Sequence, residues 1–181
     1  RRTRVEQEDQ TDERDDDRLL DQGVGQGLDG AEDQLRAVVR GDEADAVDTT
    51  ELDPAVGVRL EAGRGSDLMR GGEGADTVVP GRGADRVLGG GGNDSLTGGS
   101  NDTLDGGIGN DVLRGGRMVG GDGNDTYLVD SALGVVVETN AVAGTGGIDR
   151  VISTIAAYTL TANVEEGEIA ATGTADLNAN S

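Results

Sequence analysis

AGRGSDLMR GGEGADTVV PGRGADRVL GGGGNDSLT GGSNDTLD GGIGNDVLR GGRMV GGDGNDTYL, residues 62–128, is one short phrase written over and over. All but the truncated block carry Asp, then any residue, then an apolar one: Asp67/Met69, Asp76/Val78, Asp85/Val87, Asp94/Leu96, Asp102/Leu104, Asp111/Leu113 and Asp125/Tyr127. The period is nine residues, with one residue missing in Gly98–Asp105 and a truncated block at Gly115–Val119. A unit this short cannot bury a core alone, so the blocks must stack on one another as a solenoid.

Each block has two halves. The G-G-x-G-x-D half suits neither helix nor ordinary strand, because glycine tolerates positive φ and close backbone approach. Such a turn aims several carbonyl oxygens at one spot and sets a carboxylate beside them. The x-apolar-x half is a very short strand with a single inward side chain. Two blocks make one circuit, so carboxylates two blocks apart should stack: Asp67 with Asp85, Asp76 with Asp94, Asp85 with Asp102, Asp94 with Asp111. Carboxylates joined by carbonyls describe an all-oxygen site for a hard cation. Calcium accepts six to eight such ligands in flexible geometry, whereas magnesium demands a tight octahedron and keeps its waters.

The blocks resemble the GGxGxDxUx nonapeptide of the repeats-in-toxin (RTX, haemolysin-type) calcium-binding proteins. That resemblance implies an all-β, parallel β-roll holding several calcium ions in its turns. The expected ligands are the carboxylates of Asp67, Asp76, Asp85, Asp94, Asp102, Asp111 and Asp125. With them come the turn glycines Gly72, Gly74, Gly81, Gly83, Gly90, Gly92, Gly107, Gly109, Gly121 and Gly123. Asp94, Asp111 and Asp125 sit in the best-kept blocks. The turn before Asp102 lacks a glycine between Ser100 and Asn101, so a site shared with Asp85 is expected to be weak or empty. The truncated Gly115–Val119 is expected to loop out before Gly120 resumes the register. Asn93-Asp94-Ser95, Asn101-Asp102-Thr103 and Asn124-Asp125-Thr126 are formal glycosylation sequons that arise from the repeat itself, and no glycan is assigned to them.

Composition narrows the function. Aromatics are 1 % of the 181 residues, with no Phe, Trp or His, so a conventional core of this length is not available. The formal charge is −21, from 36 acidic residues against 15 basic ones, all Arg, which repels nucleic acid and anionic membrane and attracts cations. Cysteine is absent, excluding disulfides and thiolate metal sites. No stretch approaches the apolar length of a membrane span. The opening RRTRVEQEDQ lacks the apolar region of a secretory signal peptide. A start without Met and a stop in mid-pattern are expected of a segment from a longer parent with neighbouring domains. Without His, Cys or Lys the commonest general bases and nucleophiles are missing, so no enzyme activity is expected.

The flanks divide the chain into an acidic leader over residues 1–61, the calcium-binding roll over 62–128, and a β-rich end coil over 129–181. Arg1–Leu20 is densely charged and expected to be disordered or a solvated helix. Leu28, Ala31, Leu35 and Val38 fall at helical spacing, with Asp29 placed as an N-cap. Yet Asp33/Leu35 and Asp45/Val47 repeat the Asp-x-apolar phrase, and we favour decayed repeats there. A glutamate at a glycine position, Glu43, argues against a calcium site in that block, and Pro54 marks an irregular junction. Gly25–Gly30 matches G-x-G-x-x-G without a βαβ context, and Arg40-Gly41-Asp42 is a chance tripeptide in a Gly/Asp-rich repeat. Beyond Leu128, TYLVD and GVVVET read as strands flanking a turn at Asp130–Gly134. Asn124–Asp130, Val135–Thr139, Gly147–Ser153 and Tyr158–Glu165 resemble the segment that follows RTX repeat runs. Glu166-Gly167-Glu168-Ile169 departs from that pattern.

The expected function is therefore calcium binding. The central tract has one inward side chain per strand, too little to hold its shape alone, and is expected to fold only on binding the ion. RTX membership would imply secretion through type I machinery, with folding outside the cell. The alternatives are an accessory C-terminal module of an extracellular hydrolase or epimerase, or a structural stalk of an adhesin or surface-layer protein.

Overall fold

A computed structural model describes residues 35–38, 42–138, 146–170 and 176–178. Arg1–Leu20, the Gly25–Gly30 motif, Asp29 and Asp33, and Arg40-Gly41 of the tripeptide lie outside these. Among the described residues every regular element is a strand. The chain alternates between two parallel sheets. β1 (Leu35–Val38), β3 (Val58–Glu61), β6 (Thr77–Val79), β9 (Ser95–Thr97), β11 (Val112–Arg114), β13 (Thr126–Val129), β15 (Arg150–Ser153) and β17 (Glu166–Ile169) stack in that order as an eight-stranded sheet. Opposite lies a six-stranded sheet of β2 (Ala46–Asp48), β5 (Leu68–Gly72), β8 (Arg86–Gly91), β10 (Thr103–Ile108), β12 (Arg117–Asp122) and β14 (Val135–Val137). β4 (Arg64–Gly65) pairs with β7 (Arg82–Gly83), and β16 (Ala157–Thr159) with β18 (Asp176–Asn178). This is a β-solenoid of the β-roll kind, in which spatial neighbours are two blocks apart in sequence.

The register stacks the apolar residues into two columns. In the eight-stranded sheet Leu60, Val78, Leu96, Leu113, Tyr127 and Val151 align. In the six-stranded sheet Val47, Met69, Val87, Leu104, Met118 and Val136 align. All are buried and together form one core cluster. A core mostly one residue wide per strand follows from the sequence, because each x-apolar-x segment sends its middle side chain inward; β3 and β13 each add a second, Val58 and Val129. Packing across so thin a core is possible only while both sheets keep their registers.

Two expectations meet the structure at this level. Leu35–Val38 is a strand paired with β3, and Val47 is buried in β2, so these described strands before Ala62 continue the stack. The truncated block is different from what its length suggests. Gly115–Val119 does not loop out: Arg117–Asp122 is a full strand, and Met118 fills the core between Leu104 and Val136. That block has lost its ligand half and kept its strand half. Gly115 and Gly116 turn the chain in two residues, which shortens the circuit without breaking the ladder.

Candidate metal centre

The turns run along the roll in two rows. One row leads into the eight-stranded sheet and carries Asp76, Asp94, Asp111, Asp125 and Asp149; the other leads into the six-stranded sheet and carries Asp45, Asp67, Asp85 and Asp102. From Asp67 and Asp76 onward, every carboxylate in each row has one oxygen engaged in the same way. The Asp76 amide donates to Asp94 Oδ1 at 2.8 Å, that of Asp94 to Asp111 Oδ1 at 2.8 Å, that of Asp111 to Asp125 Oδ1 at 2.8 Å, and that of Asp125 to Asp149 Oδ1 at 2.8 Å. Val58 and Glu165 close the ends of this row, through Val58 N–H to Asp76 Oδ1 and Asp149 N–H to Glu165 Oε2, both 2.8 Å. In the other row Asp45, Asp67 and Asp85 donate to Asp67, Asp85 and Asp102 Oδ1 at 2.9, 2.8 and 2.9 Å. All four carboxylate pairs expected from the two-block circuit are thus brought together. The aspartate is a turn-to-turn rivet before it is anything else.

The second oxygen is what makes a site. Oδ2 of Asp45, Asp67, Asp76, Asp85, Asp94, Asp111, Asp125 and Asp149 is buried and has no hydrogen-bond partner. A buried charged oxygen without a partner is costly, and native structures fill such positions with a proton or a cation. Asp102 departs from this pattern. Its Oδ2 accepts the Gly99 N–H at 2.6 Å, so both its oxygens are occupied, because the turn short of one glycine folds back onto its own carboxylate.

In the row leading into the eight-stranded sheet, glycine is required on the inner wall of the turns at Gly71, Gly89, Gly106 and Gly120. A Cβ on Gly89 would strike Asp94 Oδ2 and lie 2.6 Å from the Gly106 carbonyl oxygen. The carboxylate oxygen and a carbonyl of the next layer therefore share the space a side chain would fill. Gly90, at φ 116°, gives the backbone the left-handed bend that turns it toward this spot. Of the other glycines expected in the turns, Gly72, Gly81, Gly83, Gly92, Gly107, Gly109, Gly121 and Gly123 share the positive φ and Gly74 does not; a Cβ on any of them but Gly72 would strike a backbone carbonyl of the preceding layer.

Electrostatics follows from burial. Desolvation pushes the carboxyls of Asp67, Asp76 and Asp85 above the usual range. It pushes Asp94, Asp125 and Asp149 up to about 7 and Asp111 to about 6, against the lowering effect of the amide each accepts. Neighbouring carboxylates add to the shift for Asp94, Asp125 and Asp149. Carboxylates this reluctant to ionise without a counter-charge call for a proton or a cation beside them. The donor set is wholly oxygen, as a hard cation requires.

Some participants escaped the sequence reading. Asp45 and Asp149 have the same orphaned Oδ2 as the expected ligands, although Asp45 stands in a block discounted for Glu43 and Asp149 lies beyond the best-kept repeats. The Asp-x-apolar phrase was the available signal for both. A second ladder, of asparagines, runs beside the first row. Asn93 Oδ1 accepts the Asn110 amide at 2.8 Å, Asn110 Oδ1 that of Asn124 at 2.7 Å, and Asn124 Oδ1 that of Ile148 at 2.6 Å. The Asn of the sequon-like Asn-Asp-Ser/Thr strings at Asn93 and Asn124 is therefore a turn brace.

Comparison with protein families matches residues 59–87, 79–113 and 97–127 to the RTX calcium-binding nonapeptide repeat, in four copies. No curated protein and no solved structure matches the chain. The matched residues contain the orphaned oxygens of Asp67, Asp76, Asp85, Asp94, Asp111 and Asp125. Residues 59–127 of this chain belong to the RTX calcium-binding nonapeptide repeat family and form a calcium-binding β-roll module.

Proposed function

We propose that the chain is a non-catalytic calcium-dependent roll of a secreted protein, unfolded at low cytosolic calcium, exported by type I machinery and folded by the ion outside. The observation that carries this is the file of buried, unpartnered Oδ2 atoms at Asp67, Asp76, Asp85, Asp94, Asp111 and Asp125, four of them, at Asp76, Asp94, Asp111 and Asp125, beside a glycine wall. Asp67, Asp76, Asp85, Asp94, Asp111 and Asp125 serve as side-chain ligands, and the glycines of their turns supply carbonyl oxygens. Asp102 serves as a rivet alone. Residues 62–128 hold the main sites, 129–181 cover the end of the roll, and 1–61 form its acidic leader. The ion supplies the charge that lets the carboxylates ionise in place, so ion binding and folding are one event. Extracellular modules bind calcium at about 10⁻⁴–10⁻³ M, which leaves such a chain unfolded in the cytosol and folded outside.

Circular dichroism during a calcium titration tests this, with magnesium as the control. Strand signal should appear cooperatively at submillimolar to millimolar calcium and not with magnesium. A chain already fully stranded in chelator, or one that magnesium folds equally well, would overturn the proposal.

A further inference from the structure

The first glycines of the blocks form a column of their own. Gly71, Gly89, Gly106 and Gly120 are aligned by the register of β5, β8, β10 and β12. At Gly71, Gly89 and Gly106 a Cβ would strike the Oδ2 of the block's own aspartate and lie 2.7, 2.6 and 2.8 Å from the carbonyl oxygen of the next glycine in the column. At Gly120 the aspartate oxygen is again there, from Asp125, but the carbonyl is replaced by the Tyr127 hydroxyl. The reason is the next residue in the column. Val119 pairs with Val137 across β12 and β14, so the position opposite Gly120 belongs to Glu138.

Glu138 is buried at 6 % exposure, an unusual place for a glutamate. Its Oε2 accepts the Tyr127 hydroxyl at 2.7 Å. One carboxylate oxygen each from Glu138, Asp125 and Asp149 lie within 4.8 Å of one another. Asp125 and Asp149 are each 1 % exposed, and each turns a buried, unpartnered Oδ2 to the interior. Oxygens that bind one calcium at about 2.3–2.6 Å can be no further apart than about 5 Å, so the three can share an ion.

We propose that Asp125, Glu138 and Asp149 form a terminal binding site for a hard divalent cation, calcium, in which the Glu138 side chain supplies the oxygen that a glycine carbonyl supplies elsewhere in the roll. Tyr127 is its positioning residue: the hydroxyl fixes Glu138 and touches no ion. Glu138 and Asp149 lie beyond the matched repeats, so this ion joins the nonapeptide turns to the coil that follows them. The choice of calcium rests on the function proposed above; the existence of the site does not depend on the other turns filling.

The test uses the full chain and its Glu138→Gln variant. Bound calcium is counted by equilibrium dialysis, with circular dichroism recorded alongside. Terbium is then substituted for calcium and excited through tyrosine, in a Tyr158→Phe background that leaves Tyr127 as the one sensitiser. The chain should give sensitised emission that calcium displaces. Glu138→Gln should bind one ion fewer and lose most of that emission while keeping the calcium-induced strand signal. An equal ion count and equal emission in the variant would overturn the site, as would absence of emission from the parent chain. If Glu138→Gln gains no strand signal, a crystal structure of the unsubstituted chain grown with calcium decides. An ion bonded to all three carboxylates supports the site, and ions in the turns with none there overturn it. A chain that binds no calcium anywhere defeats both proposals; ions in the turns alone defeat only this one.

Discussion

The two rows of turns are built from the same phrase and end differently. The row feeding the eight-stranded sheet keeps an orphaned buried oxygen at Asp76, Asp94, Asp111, Asp125 and Asp149, across circuits of 18, 17, 14 and 24 residues. The row feeding the six-stranded sheet keeps one at Asp45, Asp67 and Asp85, then stops. At Asp102 the spare oxygen is consumed by Gly99, and the next turn, Gly115-Gly116, has no aspartate. Yet β10 and β12 are as well paired and as well filled as their neighbours. Riveting a neighbouring amide and keeping a second oxygen free are thus separable features of one side chain. The first survives changes in block length; the second does not.

Acidity should separate the two most strongly. Folded-state values near 7 for Asp94, Asp125 and Asp149 stand far above the unfolded carboxyl value of about 3.9. A raised folded value stabilises the fold below the unfolded value, and that contribution is lost as pH rises through 7. The calcium-free chain should therefore gain strand signal when taken from pH 8 to pH 5, by an amount on the order of several kcal/mol. Calcium binding should weaken over the same interval, as protons compete for the same oxygens. Equal calcium-free spectra at both pH values would break the distinction between the two oxygens.

Substitution comes next in size. Asp111→Ala removes an ion ligand and the acceptor of the Asp94 amide, and should cost about 2–3 kcal/mol in millimolar calcium. Asp102→Ala removes two amide acceptors and should cost about 1–2 kcal/mol with no change in bound ions. Urea denaturation with dialysis reads both, and a lost ion at Asp102 would erase the contrast between the rows. Gly89→Ala should mimic a ligand loss from the wall side, raising the calcium midpoint by about 1–2 kcal/mol. An unchanged midpoint would mean the Gly89 wall is not part of a site. Smallest of all, a glycine inserted between Ser100 and Asn101 should free Asp102 Oδ2 from Gly99 and add to calcium binding with little change in stability. Unaltered stoichiometry would show that block length is not what silences Asp102.

The apolar column was the most legible part of this fold. Met69, Val78, Val87, Leu96, Leu104, Leu113 and Tyr127 were readable as inward residues, because a period of two blocks leaves them no other face. Met118 was not, since a block without aspartate gives no sign that its strand survives. Glu138 was illegible for a deeper reason. Its place opposite Gly120 depends on register carried through circuits of unequal length, and only paired strands reveal it. The division of each carboxylate into a bonded and an unbonded oxygen likewise belongs to three-dimensional geometry rather than to residue type.

The buried aspartate rivets point one way, each carboxylate holding the amide of the turn that precedes it in the chain, while the exposed asparagine braces point the other. The roll consequently has a grain, and its two ends are not equivalent to a protease. Trimming up to Val58 strips an amide from Asp76 and leaves a carboxylate oxygen that water or an ion can satisfy. Trimming back past Asp149 strips the acceptor from the buried Asp125 amide, which then has to find a new partner or open its turn. Erosion from the front should stop at the first intact turn, whereas erosion from the back should undo the next turn in line.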